Sequence, residues 1–170
     1  RFLKKPDSKM LDGKTFFIGG SPVLRKDWGG KVRSGDLSGV IAGRLPWFFQ
    51  GLYFPGKKIA SVPNWEEKMD QAAEAALFED ISVLGGVPSW ALLFLEKLNE
   101  KKAVKGNVKS LWPSFELFIH GGVSLEPYRQ QFENWLGPGV HYQEVYPASE
   151  GFIAVEDPFE KALRLMVDYG

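Results

Sequence analysis

Two stretches of this chain share one plan: a short apolar run, a pair of glycines, and then a helical pattern. In the first, Ile81-Ser82-Val83-Leu84 leads into Gly85-Gly86, and a strongly apolar helix follows over 90–98 with Pro88 near its first turn. In the second, Phe115-Glu116-Leu117-Phe118-Ile119-His120 leads into Gly121-Gly122, with a helix over 126–136. Strands that alternate with helices through glycine-rich turns predict an α/β fold, a largely parallel sheet with flanking helices. Such sheets bind ligands at the carboxyl ends of their strands, so the loops there are the places to search.

Other elements extend the pattern. Lys14-Thr15-Phe16-Phe17-Ile18 reads as a strand entering a turn at Gly19-Gly20-Ser21. Residues 22–64 are rich in glycine, proline and aromatics and read as irregular, with a short helix near 36–43 or 45–51. The clearest helix covers 65–80: Asn64 caps it, Glu66 and Glu67 suit its positive end, and Met69, Ala72, Ala73, Ala76 and Leu77 recur at helical spacing. Residues 141–146 and 151–155 read as strands, and the closing Leu-Arg-Leu-Met-Val as another. No repeat interrupts this, and 170 residues suit one domain.

Composition removes several classes of function. With no cysteine, a disulfide scaffold, thiolate catalysis and Cys-ligated zinc or iron–sulfur centres are excluded. His120 and His141 are the two histidines, and their spacing is not that of a metal site. Twenty-one basic residues balance 21 acidic ones, which speaks against a dedicated nucleic-acid binder and a polybasic membrane-surface protein. The balance is uneven along the chain: residues 1–58 carry 12 basic and 4 acidic side chains, whereas 59–170 carry 9 and 17. Pairing between the halves is the first reading of this split, and a basic face for an anionic ligand the second. No signal peptide and no 18-residue apolar window is seen, and a soluble, cytoplasmic protein is expected.

Neither a Walker-type phosphate loop, nor a GxGxxG turn between strand and helix, nor a GxSxG elbow is present. The run from Arg33 to Gly43 is rich in serine and glycine but has no lysine in place, and it reads as a turn before a helix capped by Asp36. Two other loops hold more chemistry. In His120-Gly121-Gly122-Val123-Ser124, consecutive glycines would let a flat ring approach the backbone, but taken alone the loop reads first as a chain turn with Ser124 capping the next helix. Tyr146-Pro147-Ala148-Ser149-Glu150 places a ring, a hydroxyl and a carboxylate together, and an ordinary turn would also explain it. A ring can stack on a base, a hydroxyl can bond a phosphate, and a carboxylate is a hard ligand for Mg²⁺. Two such loops on successive strands are what a bipartite nucleotide site requires. His120 reads as a strand-end hydrogen-bonding residue and His141 as a surface one, while Glu156 and Asp157 are a carboxylate pair or an acidic turn.

These strings resemble nucleotide-binding motifs of the adenylate-forming superfamily, which includes acyl-CoA synthetases, luciferases and peptide-synthetase adenylation domains. More closely, the chain resembles the bacterial branch of the auxin-responsive acyl acid–amido synthetase family. Further supporting strings are Lys-Thr-Phe-Phe-Ile-Gly-Gly-Ser at 14–21, Gly-Asp-Leu-Ser at 35–38, Asn-Trp-Glu-Glu-Lys at 64–68 and Gly-Val-Pro-Ser-Trp at 86–90. The resemblance implies that a carboxylic acid attacks ATP to form an acyl-adenylate, from which an amine or coenzyme A displaces AMP. It implies that Gly121, Gly122, Val123 and Ser124 line the adenine pocket and that Tyr146 stacks on the base. Ser149 would approach the α-phosphate, and Glu150 would hold Mg²⁺.

The resemblance also implies parts that these residues do not contain. A Ser/Thr/Gly-rich phosphate loop would precede residue 1, and a ribose-binding aspartate and a lysine-bearing domain would follow residue 170. Asp168 comes too early to be that aspartate. The chain is therefore expected to be an internal part of a large adenylating domain, inactive by itself. A rival expectation within the same chemistry is an acyl-CoA synthetase-like ligase, and one outside it is a non-catalytic binding or structural module.

Overall fold

A computed structural model describes residues 7–19, 25–27, 32–34, 46–101, 106–148, 151–157, 159–160 and 162–167. Nine strands are found among them: β1 (Lys14–Phe17), β2 (Arg25–Asp27), β3 (Val32–Ser34), β4 (Tyr53–Phe54), β5 (Ile81–Gly86), β6 (Leu117–His120), β7 (His141–Ala148), β8 (Gly151–Glu156) and β9 (Leu163–Leu165). The helices are α1 (Trp47–Gln50), α2 (Gly56–Ala60), α3 (Trp65–Ala76), α4 (Pro88–Lys101) and α5 (Arg129–Leu136), the last preceded by a 3₁₀ turn over Glu126–Tyr128. Seven strands form one sheet in the order β4-β1-β5-β6-β7-β8-β9, and β2 and β3 pair separately as an antiparallel hairpin.

The first five strands of that order run parallel, and the last two join antiparallel. The largely parallel α/β sheet expected from the alternation is therefore the observed fold. Phe54, Phe16, Leu84, Phe118 and Tyr142 stand in register across five strands and form one row of side chains. Phe94 of α4 meets Phe16 edge-on at 4.9 Å, and Phe132 of α5 stacks on Phe118 at 4.6 Å. Hence α4 and α5 cover the same face of the sheet. Right-handed crossovers require this when successive parallel strands β5, β6 and β7 are added in one direction.

Helix α3 packs on α4 through Met69, Ala72, Ala73 and Ala76, all buried. Asn64 caps it as expected, its side chain accepting from the Glu67 N–H at 2.9 Å. The helix stops at Ala76, short of the expected residue 80. Trp112 is fully buried between α3 and α4, stacks on Phe94, and donates its indole N–H to the Ala76 carbonyl at 3.0 Å. That bond satisfies one carbonyl orphaned by the helix end.

Within 45–54, expected to be irregular or helical, α1 is a single turn and Tyr53-Phe54 adds a two-residue strand outside β1. Such a short strand has no periodicity to betray it. The alternative helix near 36–43 lies outside the described residues, as do Gly20, Ser21 and the Gly-Asp-Leu-Ser string. Among the described residues, no helix is long and apolar enough to cross a membrane.

Candidate functional site at the strand ends

Three parallel strands deliver their carboxyl ends to one place. β5 ends at Gly86 before Val87, β6 ends at His120 before Gly121-Gly122, and β7 runs alongside through Val145. Gly121 is buried, and a Cβ on it would collide with the carbonyl oxygen of Val145 and lie 3.1 Å from Cδ of Pro147. Only a residue without a side chain lets the turn lie flat on β7. Gly122 follows in the left-handed region at φ +85°, and a Cβ there would be 3.4 Å from Cγ2 of Val87. The two loops singled out in the sequence are therefore in contact, with the β5 loop beside them.

Beyond the buried Gly121, the turn opens to solvent. Gly122, Val123 and Ser124 are exposed, Val123 at 44%. The Ser124 hydroxyl accepts from the Glu126 N–H at 3.3 Å, which bridges the turn to the helical segment. Glu126 in turn pairs with Arg129, whose guanidinium lies 5.8 Å from the centre of the Tyr142 ring.

β7 is longer than the expected 141–146 and continues to Ala148. Tyr146, Pro147 and Ala148 therefore belong to a β-hairpin arm, with Tyr146 opposite Ala154 and Ala148 opposite Gly151. The register shifts between Tyr146 and Pro147, because proline cannot donate to the ladder. Tyr146 is 52% exposed, with its ring free of the core. Ser149 and Glu150 lie outside the described residues.

The remaining candidates take structural roles. Glu156 accepts the Glu144 N–H at 3.2 Å, fastening β8 to β7. Asp157 accepts the N–H groups of Phe159 and Glu160 and pairs with Arg164 at 2.9 Å, holding the turn into β9. Of this acidic pair, Asp157 holds the turn and Glu156 ties two strands together. His141 is half-buried. His120, expected to hydrogen-bond at the strand end, instead has a buried Nδ1 with no partner among the described residues. Burial holds its imidazole below the usual histidine range, so the ring is neutral at neutral pH. Among the described residues no three His, Cys, Asp or Glu side chains gather closely enough to hold a metal ion.

A largely parallel sheet flanked by helices, with glycine turns at its strand ends, defines an α/β domain. Residues 9–140 match the model of the GH3 family N-terminal domain. The chain belongs to this family, the auxin-responsive acyl acid–amido synthetases of the adenylate-forming superfamily. No curated protein matches the chain.

Proposed function

We propose that the chain forms part of the ATP site of an acyl acid–amido synthetase. The approach of Gly121 to Val145 and Pro147 supports this reading, because it sets a side-chain-free turn beside the stretch of β7 that carries the exposed Tyr146. A purine ring fits between such a turn and such a ring, stacking on the tyrosine while the turn's backbone approaches its edge. In this reading Gly121, Gly122, Val123 and Ser124 border the adenine and Tyr146 stacks on it. Ser149 bonds an α-phosphate oxygen.

ATP and a carboxylic acid are the substrates. A carboxylate oxygen attacks the α-phosphorus and pyrophosphate leaves. An amine then attacks the acyl carbon, AMP departs, and the amine gives up a proton. The protein's own part is to orient the α-phosphorus for in-line attack and to aim fixed dipoles at its developing charge. Glu150 is the residue proposed to hold Mg²⁺, which supplies neutralisation of phosphate charge. A cytoplasmic setting without nucleic-acid or membrane partners belongs to the same proposal.

The test is ATP-dependent pyrophosphate release by the natural protein that carries this chain, with mass spectrometry of its products. Amides formed from a carboxylic acid and an amine support the reading. Coenzyme A thioesters in their place assign the chain to the acyl-CoA synthetase-like reaction, and no pyrophosphate with any acid supports a binding module.

A further inference from the structure

His120 closes β6 one residue before Gly121 and is only 4% exposed. Its ring centre lies 5.6 Å from that of Phe118, which is fixed between Phe132 of α5 and Tyr142 of β7. In the sheet it stands between Gly86 and Glu144. The charged groups that act on it are Glu126 and Arg129, from the segment after the turn, and Glu156 of β8. Desolvation outweighs the attraction of the two glutamates, and the imidazole is neutral. A phenyl ring would make the same contact with Phe118 without stranding a polar atom. Packing explains the ring but leaves its nitrogen unaccounted for.

We propose that His120 is a positioning residue for the adjacent turn. With ATP in the strand-end crevice, Nδ1 makes the hydrogen bond it lacks here, to a backbone group of the turn from Gly121 to Ser124. A neutral imidazole can donate or accept according to its tautomer, so either an N–H or a carbonyl serves. Gly122, already in the left-handed region, can change backbone conformation at little cost. The imidazole would thus hold the turn in the form that borders the base. This inference rests on the nucleotide reading of the crevice.

The test is NMR of the natural protein that carries this chain, labelled at histidine and backbone amides, with ATP and Mg²⁺ as the probe and His141 as an internal control. Adding ATP should shift the His120 imidazole signals and move their titration midpoint by about half a pH unit or more, leaving those of His141 in place. His120→Phe should bind ATP about tenfold more weakly, with part of the loss recovered in His120→Asn. The proposal is overturned if ATP moves the amide signals of residues 121–124 while the His120 titration and the affinity of His120→Phe stay unchanged. If ATP moves no amide signal at 121–124 or 146–148, the nucleotide reading fails and this proposal with it. Should His120→Phe not fold, the titration of the unaltered chain decides.

Discussion

Gly121 on β6's outgoing turn lies against the carbonyl of Val145 on β7, with no room between them for a methyl group. This contact brings together two loops that lie more than twenty residues apart in the chain.

Gly121→Ala is therefore expected to push β6 and β7 apart locally and to destabilise the protein by about 1–3 kcal/mol, as overpacking does. Gly122→Ala meets only Val87 at 3.4 Å but must keep φ +85°, a cost of about 1–2 kcal/mol. Urea unfolding of both variants checks the values. Equal stability of Gly121→Ala and the parent would disprove the contact.

Tyr146 is half-exposed and makes little contribution to the core. Tyr146→Ala should change stability by no more than about 0.5 kcal/mol. If the ring stacks on adenine, ATP affinity should fall roughly tenfold or more, since such stacking is worth about 1–3 kcal/mol. Tyr146→Phe should retain most of the affinity. Calorimetric titration with ATP distinguishes the three proteins.

Trp112 is fully buried and bonds the end of α3. Trp112→Phe keeps most of the packing but loses the bond to Ala76, and a loss of about 1–2 kcal/mol is expected. Trp112→Ala opens a cavity as well and should cost about 3–5 kcal/mol. Thermal and urea unfolding should rank them in that order.

A buried imidazole and a half-buried phenol set opposite pH limits. The His120 pKa is lowered on folding from 6.5, so below about pH 6.5 the unfolded chain binds a proton that the folded chain does not. Stability should decline as the pH falls below that value, until the folded imidazole also protonates. Burial pushes the Tyr53 phenol from 10.0 up to about 12. Its contribution is intact below pH 10 and should be lost as the pH rises from 10 towards 12. Unfolding midpoints measured across pH should lose the acid slope in His120→Phe and the alkaline slope in Tyr53→Phe.

Much of this fold is legible along the chain. Asn64 and the alanine spacing after it specify α3, and Pro88 with the apolar residues behind it specifies α4, because capping and helical periodicity involve neighbours within a few positions. The strand character of residues 81–86 and 117–120 is equally local. The Gly-Gly turns and the 146–150 string carry a family resemblance, and family membership agrees with it. By contrast, β4 is two residues long and exists only because β1 offers it an edge. β7 outruns its expected end because β8 folds back and supplies partners for residues as far as Ala148.

The amino-acid sequence by itself determined the alternation of strand, glycine turn and helix, and with it the fold class. Tertiary structure alone decided which strands are neighbours, that α4 and α5 share one face, that Gly121 touches Val145, and that the His120 Nδ1 is buried without a partner among the described residues. The physical reason is range. Caps, periodicity and turns are satisfied within a turn of helix or a pair of residues. A strand's hydrogen-bonding partner, and the solvent left around a side chain, are fixed only when distant segments pack together.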